Sequence, residues 1–368
     1  MRTLIISDLH LGVASGMDVL ARPAALDGLL SRLQGVDRLV LLGDTLELRH
    51  GPARDALARA EPVMRGFGSA LSPDAEVVLV PGNHDHAIAA GWLDWRGRRE
   101  EPGPLALEQR VPAATASWIA KRLAGFLAPA RVEVAYPGIW LRDDVYATHG
   151  HYLDVHFAIP IPERLIAGAM ERMVGSVPDA ATPDDYEAIL APIYALSHAS
   201  AQRSGSGRAA VGGRSAIGTW QGLTGSGRGR RLRAYALAVP FRLGVLAANR
   251  VGIGPVQAQV GAEDLRVAGL AAIAETARRL RITPAHLVFG HTHRTGRLAQ
   301  DGPSGWRTPA GTQLHNTGNW MFDMAFVRRG TAGSSPYWPG GAIVLDDDGP
   351  PRLERLLRDV PASALRAD

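Results

Sequence analysis

Five short apolar runs along this 368-residue chain each end in side chains that can bind a metal ion. The polar stretches that follow the runs are SDLH (7–10), GDTLE (43–47), GNHD (82–85), HGH (149–151) and GHTH (290–293). In open α/β sheets, ligands bind outside the carboxyl ends of the strands, and glycines allow the backbone to pass close to a site. We therefore expect the five stretches to meet in one shared site.

The residue types in these stretches favour a transition-metal site. The candidate ligands are Asp8, His10, Asp44, Asn83, His149, His291 and His293. Imidazoles, carboxylates and an amide suit manganese, iron or zinc better than calcium or magnesium, and the chain has no cysteine to supply a thiolate. Either His149 or His151 can face the site, because side chains two positions apart on an extended chain point the same way.

The number of candidate ligands predicts two ions. Seven ligands exceed the needs of one ion once water is included, whereas two ions that share a bridging carboxylate fit the set. Two ions roughly 3.5–4 Å apart clamp the attacking and leaving oxygens of a phosphoryl displacement, and they make hydroxide available at neutral pH. The pattern therefore predicts a hydrolase in which a metal-bridging hydroxide attacks phosphorus.

The composition is that of an ordinary globular protein, with 46% hydrophobic and 21% charged residues. Only Lys121 of the 40 basic residues is a lysine, the arginines are dispersed, and the formal net charge is +4. A nucleic-acid partner is therefore disfavoured, because such proteins concentrate basic residues on one face. Met1 leads directly into RTLIIS, and the apolar segment 233–250 is interrupted by Pro240 and Arg242. These features predict a cytoplasmic protein.

The spacing of apolar residues predicts an α/β fold. The expected buried strands are TLIIS (3–7), RLVLL (38–42), EVVLV (76–80), VYATH (145–149) and HLVFG (286–290). Closely spaced runs with turn residues between them suggest a second, mixed sheet, and they are RVEVA (131–135), GIWL (138–141), GTQLHNTG (311–318) and GAIVL (341–345). Helical patterns occupy residues 17–35, 52–70, 112–128 and 262–281. Strands that alternate with helices indicate an α/β sheet.

Residues 156–261 differ from the rest of the chain because they lack strand patterns. They contain apolar helical pieces within 157–175 and a Gly/Ser/Arg-rich tract at 203–233, which is flexible by composition. Strand patterns resume afterwards, so we interpret the region as an insertion into a core of residues 1–155 and 262–350, with a tail at 351–368. The insertion can fold over the site as a cap, either with a small core of its own or with an apolar face that contacts lipid or the inner face of a membrane.

The series D-x-H, G-D-x-x-E, G-N-H-D, H-G and G-H-T-H, in this order, resembles the calcineurin-like metallophosphoesterase superfamily. The resemblance implies a four-layer α/β/β/α sandwich of two mixed sheets. It implies that one ion is held by Asp8, His10 and His293, that the other is held by Asn83, His149 and His291, and that Asp44 bridges them. It further implies that His84 protonates the leaving oxygen, that Glu47 orients His84, and that Asp85 assists. Asn316 or Asn319 of NTGNW (316–320), together with His151, would lie near the substrate.

The superfamily acts on phosphomonoesters, phosphodiesters, nucleic acids and pyrophosphate-linked lipid precursors. The stretches ISDLHLG, GDTLE and NTGNW resemble the UDP-diacylglucosamine pyrophosphohydrolase branch, which usually carries arginine at the position of His84. We therefore expect an enzyme that hydrolyses a phosphomonoester, phosphodiester or pyrophosphate bond of a small or lipid-like substrate. Manganese is the first candidate metal. The alternatives are a lipid pyrophosphohydrolase, a DNA nuclease and a non-catalytic scaffold.

Overall fold

A sheet of ten hydrogen-bonded strands forms the centre of the part of the chain that the structure describes, which is residues 1–158, 162–203, 262–303, 305–323, 327 and 332–366 of a computed structural model. The strands are β1 (Thr3–Ile6), β2 (Arg38–Leu42), β3 (Glu76–Val80), β4 (Glu108–Pro112), β5 (Arg131–Arg142), β6 (Val145–Thr148), β7 (His286–Phe289), β8 (Gln313–Asn316), β9 (Gly341–Leu345) and β10 (Arg352–Arg355).

Helices connect the strands. They are α1 (Pro23–Leu33), α2 (Ala53–Ala70), α3 (Ala87–Gly97), α4 (Ala113–Ala116), α5 (Trp118–Phe126), α6 (Pro162–Val174), α7 (Pro183–Arg203), α8 (Ala262–Arg279) and α9 (Ala362–Leu365). A 3-10 turn, His151–Val155, follows β6. Within the described helices, no segment is both long enough and apolar enough to cross a lipid bilayer.

The strand order is β10-β9-β1-β2-β3-β5-β6-β7-β8, and β4 pairs with β5 off this path. The early strands β1, β2, β3 and β5 run parallel, and so do β6, β7 and β8. The long strand β5 joins the two halves, because residues 131–134 pair with β3 and residues 138–142 pair with β6. We call the part from β10 to the start of β5 the first half of the sheet, and the remainder the second half.

Strands β1, β2, β3 and β9 of the first half are buried on both faces, which explains their apolar runs. Side chains alternate between the faces of a strand. Leu4 and Ile6 of β1 pack in one core with helices α1, α2 and α5, whereas Ile5 packs in another core with Val78 and with Val288 of the second half. A third core lies between β7 and β8 of the second half and helices α7 and α8.

The mixed α/β fold predicted from the sequence is confirmed, with differences in its elements. The runs at 131–135 and 138–141 belong to one strand, β5, because Tyr136 and Pro137 keep their pairing with β4. The run at 341–345 was predicted in the second sheet, but it is β9 and pairs with β1 in the first half. Helices α3, α7 and α9 and strands β4 and β10 were not predicted. Strand β10 places residues 352–355 of the predicted tail at the edge of the sheet.

The helical predictions hold with smaller changes. The pattern at 17–35 divides into a 3-10 turn, Val19–Ala21, and helix α1, which begins at Pro23 because proline suits the first position of a helix. The pattern at 112–128 divides at Ser117, whose hydroxyl caps α5 by accepting from the Ala120 N–H at 3.1 Å. The predicted flexible tract lies, from residue 204 onward, outside the described residues.

Candidate metal centre

The loops that follow β1, β2, β6 and β7 bind one another through their backbones. The N–H of Asp8 donates to Gly43 at 3.0 Å, and the N–H of His10 donates to Asp44 at 2.8 Å. The N–H of Gly290 donates to the carbonyl of His149 at 3.0 Å. The polar stretches that the sequence separates by up to 280 residues therefore form one loop cluster at the carboxyl edge of the sheet.

The backbone of this cluster is strained at the predicted ligands. The described non-glycine residues with positive φ are Asp8, His10, Asp44, Arg281, His291 and His293, and five of these six are predicted metal ligands. Side chains other than glycine rarely occupy this region, and such strain concentrates at functional sites, where the surrounding structure enforces it. The loop conformation thus serves the placement of these side chains rather than local stability.

A first group of predicted ligands contains Asp8, His10 and His293. The Nε2 atoms of the two histidines are 3.2 Å apart, and His293 Nε2 lies 3.2 Å from Asp8 Oδ1. Asp8 is fully buried, and Ser7 donates to its Oδ2, whereas Oδ1 has no hydrogen-bond partner within the described residues. A buried carboxylate oxygen without a donor is costly, and a cation between Asp8 and the imidazoles would satisfy it.

A second group contains Asn83, His149 and His291 around Asp44. Asp44 Oδ2 lies 3.4 Å from His149 Nε2 and 3.6 Å from His10 Nε2, so this carboxylate lies between the two groups. The amide oxygen of Asn83 lies 3.3 Å from His149 Nε2, and the same terminal atom lies 3.2 Å from Asp44 Oδ2 and from His291 Nδ1. An oxygen that faces only acceptors fits a bound cation. These residues therefore fit two divalent ions, as the predicted ligand set requires.

The carboxylates attract positive charge into the site. Burial disfavours the imidazolium form of His149, but Asp44 and Asp8 outweigh burial and raise its pKa to about 10. Burial likewise opposes protonation of His10, and the carboxylates, with Glu47 and Asp44 foremost, raise its pKa to about 9. The same attraction holds the pKa of Asp44 well below its ordinary value, although burial alone would raise it. A site with this charge balance favours a cation at its centre.

Glu47 lies where the resemblance placed it, beside His84. Its Oε2 accepts from Nδ1 of His84 at 2.8 Å and from Nδ1 of His10 at 3.2 Å, and Oε1 accepts from the Arg49 N–H at 2.9 Å. Burial would raise the pKa of Glu47, but the two histidines hold it well below its ordinary value. Glu47 therefore contacts both a predicted ligand and the predicted proton donor, whose side chain keeps 20% of its surface exposed.

Asp85 was predicted to take part in catalysis, and the structure gives it a different environment. The residue is fully buried, and its carboxylate accepts from the backbone N–H groups of Gly82 at 2.7 Å, Thr45 at 2.8 Å and Asp44 at 3.2 Å. Burial raises its pKa to about 6, and the neighbouring Asp44 adds to this effect. Asp85 therefore ties the loop after β2 to the loop after β3, and its oxygens contact backbone rather than the space between the two groups.

The two residues predicted to contact substrate, His151 and Asn316, contact other groups of the protein instead. His151 is buried, with Nε2 3.3 Å from the Tyr136 hydroxyl and its ring 5.6 Å from that of Tyr194, so His149 rather than His151 joins the candidate ligands. The amide of Asn316 donates to the Gly290 carbonyl at 3.1 Å and to Thr292 Oγ1 at 2.9 Å. Asn316 thus supports the loop of His291 and His293, because its donors bond within that loop.

Three residues at the site escaped the sequence analysis. Asp154 Oδ1 lies 2.7 Å from His291 Nε2, and an Arg49 guanidinium nitrogen lies 3.1 Å from the Asn83 amide. Glu187 of the insertion helix α7 accepts from the Tyr136 hydroxyl at 2.5 Å and contacts His86 Nε2 at 3.0 Å. Asp154 lies three residues after the HGH stretch, and this proximity was the available signal. No sequence pattern indicates that α7 packs against these loops.

Comparison with known proteins agrees with this site. A family model described as "Calcineurin-like phosphoesterase" matches residues 1–203. Three proteins named UDP-2,3-diacylglucosamine hydrolase, from three strains of Xanthomonas campestris pv. campestris, are 33% identical to this chain over 112 residues, which is 29% of this chain and 42% of theirs. The chain thus matches less than half of the length of these curated relatives.

Two solved structures are similar over most of the chain at low identity. A dimetal phosphatase from Danio rerio is 12% identical with a TM-score of 0.34, and the match covers 95% of this chain and 93% of that one. A cold-active protein-tyrosine phosphatase from a psychrophilic Shewanella species is 14% identical with a TM-score of 0.26, covering 96% of this chain and 80% of that one.

The family match decides the class of this protein. It covers 203 of the 368 residues, which is more than half of the chain, and the matched segment contains five of the seven candidate ligands. The two remaining candidates, His291 and His293, are brought to the same cluster by β7. The chain therefore belongs to the calcineurin-like phosphoesterase family, as its motifs predicted.

Proposed function

We propose that this enzyme hydrolyses a phosphodiester or pyrophosphate bond, or a phosphomonoester, with two manganese ions and with His84 as the proton donor. The observation that carries the proposal is the Glu47–His84 pair at the edge of the two ligand groups. Asp8, His10 and His293 would hold one ion, Asn83, His149 and His291 the other, and Asp44 both. When bound, the ions supply charge stabilisation for the phosphoryl oxygens and activation of water.

The protein's own part in the reaction is to place a proton. Glu47 accepts from Nδ1 of His84, which leaves Nε2 as the ring atom that can protonate a leaving oxygen. Burial lowers the pKa of His84 to about 4, although the Glu47 carboxylate opposes the shift. The negative charge of a bound phosphate adds to that of Glu47, so we infer that substrate binding favours the protonated ring at the moment it is needed.

The second candidate function is hydrolysis of a UDP-diacylglucosamine-type lipid pyrophosphate. Two observations favour it: the 33% identity to curated hydrolases of that name over 112 residues, and the exposed apolar side chains of insertion helix α6. Met173 is 78% exposed, Val174 52% and Ile166 46%. Such a surface suits acyl chains or a peripheral contact with the inner face of a membrane. We propose a cytoplasmic location, where such a contact would lie on the inner face of the membrane.

The domain layout forms part of the same proposal. We infer that residues 156–261 cap a core of residues 1–155 and 262–350. Contacts between Glu187 of α7 and the core support this inference. We also infer the four-layer α/β/β/α arrangement, supported by the core that both halves of the sheet share.

The test is hydrolysis by metal-free protein reconstituted with Mn²⁺. The substrates are bis-p-nitrophenyl phosphate, p-nitrophenyl phosphate and a UDP-linked lipid analogue, each with wild type and His84→Ala. We expect kcat to fall about 10²–10⁴-fold in the variant with its manganese content unchanged. The same comparison is made with the matching phenyl ester. The loss of kcat should be larger for it than for the p-nitrophenyl ester, because its more basic leaving oxygen depends more on protonation.

The matched control is His198→Ala, whose ring lies on α7 beside Gln202, and it should keep wild-type turnover. Turnover of the UDP-linked analogue alone would select the second candidate function. Equal activity of His84→Ala and wild type on the phenyl ester would exclude His84 as the proton donor. Wild-type protein that binds two ions yet turns over none of the substrates would exclude the proposed function and favour a scaffold.

A further inference from the structure

Asp154 contacts a candidate metal ligand although no motif includes it. It lies in the 3-10 turn His151–Val155 that follows β6, and it is 1% exposed. Its Oδ1 lies 2.7 Å from Nε2 of His291, which is the short distance of a charge-assisted hydrogen bond. Asp154 is not a member of the three described His/Asp groups that could hold an ion, so its contact with the site runs through His291.

The contact with Asp154 determines which ring nitrogen of His291 can bind a metal ion. A neutral imidazole carries one proton, and a carboxylate acceptor at Nε2 keeps that proton there. The lone pair of Nδ1 then faces the terminal amide atom of Asn83, 3.2 Å away, in the second ligand group. A hydrogen bond on the far nitrogen also fixes the ring plane and makes the near nitrogen a stronger ligand.

Two other candidate histidines form hydrogen bonds through Nδ1. His149 bonds through Nδ1 to the carbonyl of Leu42 at 3.0 Å, a neutral acceptor. His10 bonds through Nδ1 to the Glu47 carboxylate at 3.2 Å. Each of the two ligand groups therefore contains one histidine oriented by a buried carboxylate, Glu47 for the first group and Asp154 for the second.

We propose that Asp154 is a positioning residue that fixes the tautomer and ring orientation of His291, and so sets the affinity of the ion held by Asn83, His149 and His291 without affecting the other ion. The proposal rests on the ligand role assigned to His291 under the proposed function. It is independent of the substrate and of the role of His84.

The buried environment of Asp154 favours its hydrogen bond with His291. Its second oxygen, Oδ2, is buried and has no hydrogen-bond partner within the described residues. Tyr194 of α7 is 4% exposed, its ring packs 5.6 Å from that of His151, and its hydroxyl also lacks a partner among the described residues. Burial raises the pKa of Tyr194 well above its ordinary value, and Asp154 is the charged group that adds most. Asp154 is thus shielded from water, and hydrogen bonds are stronger where water is excluded.

The experiment measures binding of Mn²⁺ to metal-free wild type and to Asp154→Asn by calorimetry. We expect two binding events in wild type. In the variant, one event should weaken about 10–100-fold, the usual cost of losing such a partner, and the other should keep its affinity. Asp154→Glu should recover part of the loss, because it restores a carboxylate near Nε2. Unchanged affinity at both positions would overturn the proposal whatever the turnover.

The matched control is Glu187→Gln, which removes another buried carboxylate of the same region. Glu187 contacts the Tyr136 and Tyr152 hydroxyls and His86, none of which is a candidate ligand. A merely structural role of Asp154 predicts that both variants weaken both binding events equally, and this result would also overturn the proposal. Wild-type protein that binds two ions without turnover would exclude the proposed function but leave the metal test intact.

A second measurement reads the His291 ring directly in wild type, without a change at Asp154. In ¹⁵N-histidine-labelled wild type loaded with Zn²⁺, we expect the His291 ring to carry its proton at Nε2 and to bind the ion through Nδ1. Assignment comes from the loss of that signal in His291→Gln. A proton at Nδ1 would overturn the proposal.

Discussion

At the scale of single residues, Glu47 connects metal binding to proton transfer. One oxygen of its carboxylate accepts from both His10 and His84, and the side chain is 2% exposed. A change at Glu47 must therefore act on a candidate ligand and on the proposed acid together. Among the candidate ligands, Asp154 forms its hydrogen bond with His291, so the two buried carboxylates should have separable effects on the two ions.

Glu47→Gln tests this connection. We expect Mn²⁺ affinity to fall about 10-fold or more for the ion held by Asp8, His10 and His293, and kcat at saturating Mn²⁺ to fall about 10²-fold or more. The amide keeps the size of the side chain but loses the charge that orients both rings. Calorimetry and steady-state kinetics measure the two effects.

The matched control for Glu47→Gln is Glu76→Gln, which removes a carboxylate that pairs with Arg38 and Arg110 away from the site. It should leave both quantities unchanged. A Glu47→Gln variant with reduced kcat and normal affinity for both ions would show that Glu47 acts on His84 alone.

The sequence indicated the candidate ligands because each sits in a short motif directly after an apolar strand. Asp154 and Arg49 carry no such signal, since their importance depends on which side chain they meet across the site. Asn316 illustrates the opposite case. A polar residue after a strand looked like a substrate contact, but its amide satisfies backbone and side-chain groups of the His291 loop instead.

At the scale of elements, the loops after β2 and β3 approach each other too closely for side chains at two glycines. A Cβ at Gly82 would lie 2.6 Å from His149 Cδ2 and 2.8 Å from the Asp44 nitrogen, and it would overlap the Asp44 carboxylate. A Cβ at Gly43, where φ is +84°, would overlap the ring of His149. These glycines let the shared carboxylate lie between the two groups.

Gly82→Ala should therefore displace Asp44 or His149. We expect Mn²⁺ affinity to fall at least about 10-fold for both ions, since Asp44 is proposed to contact both, and turnover to fall with it. Metal content after dialysis and calorimetry provide the measurement. Gly51→Ala is the control, because a Cβ at Gly51 would meet no atom within 4 Å. If Gly82→Ala bound Mn²⁺ with wild-type affinity, the loops would have accommodated the new side chain without moving the candidate ligands.

Pairing between distant strands is the level at which sequence reasoning was least complete. The run at 341–345 has the apolar pattern of a buried strand, and the pattern does not say which neighbour it chooses. Its register with β1, such as Leu4 opposite Val344, depends on the path of the whole chain. Likewise, Tyr136, Pro137 and Gly138 look like a turn, yet pairing with β4 and β6 keeps β5 continuous through them.

At the scale of the whole molecule, the candidate ligands come from both halves of the sheet. Asp8, Asp44 and Asn83 follow strands of the first half, whereas His149 and His291 follow β6 and β7 of the second. The halves are also joined by β5, by the core that contains Ile5, Val78 and Val288, and by hydrogen bonds between their loops, such as the one from the His291 N–H to Asp8 Oδ2 at 3.1 Å. Bound ions would add a further link between the two halves, at the carboxyl edge of the sheet.

Removal of metal should therefore lower the stability of the entire core. An ion that binds the folded state and not the unfolded state stabilises it by about 2.7 kcal/mol at a free concentration of 100 Kd. We expect the midpoint of thermal unfolding to fall by several degrees after chelation with EDTA and to return when Mn²⁺ is added back. The shift should grow with the logarithm of the Mn²⁺ concentration.

Gly82→Ala distinguishes stabilisation by bound Mn²⁺ from a direct effect of EDTA on the folded protein. Because its affinity for both ions should be lower, the midpoint of the variant should rise less than that of wild type when the same concentration of Mn²⁺ replaces EDTA, and Gly51→Ala should respond like wild type. An unfolding midpoint of wild type that does not depend on Mn²⁺, measured where calorimetry shows both ions bound, would mean that the ions bind folded and unfolded chains alike. That result would contradict a link between the two halves of the sheet, because such a link exists only in the folded protein.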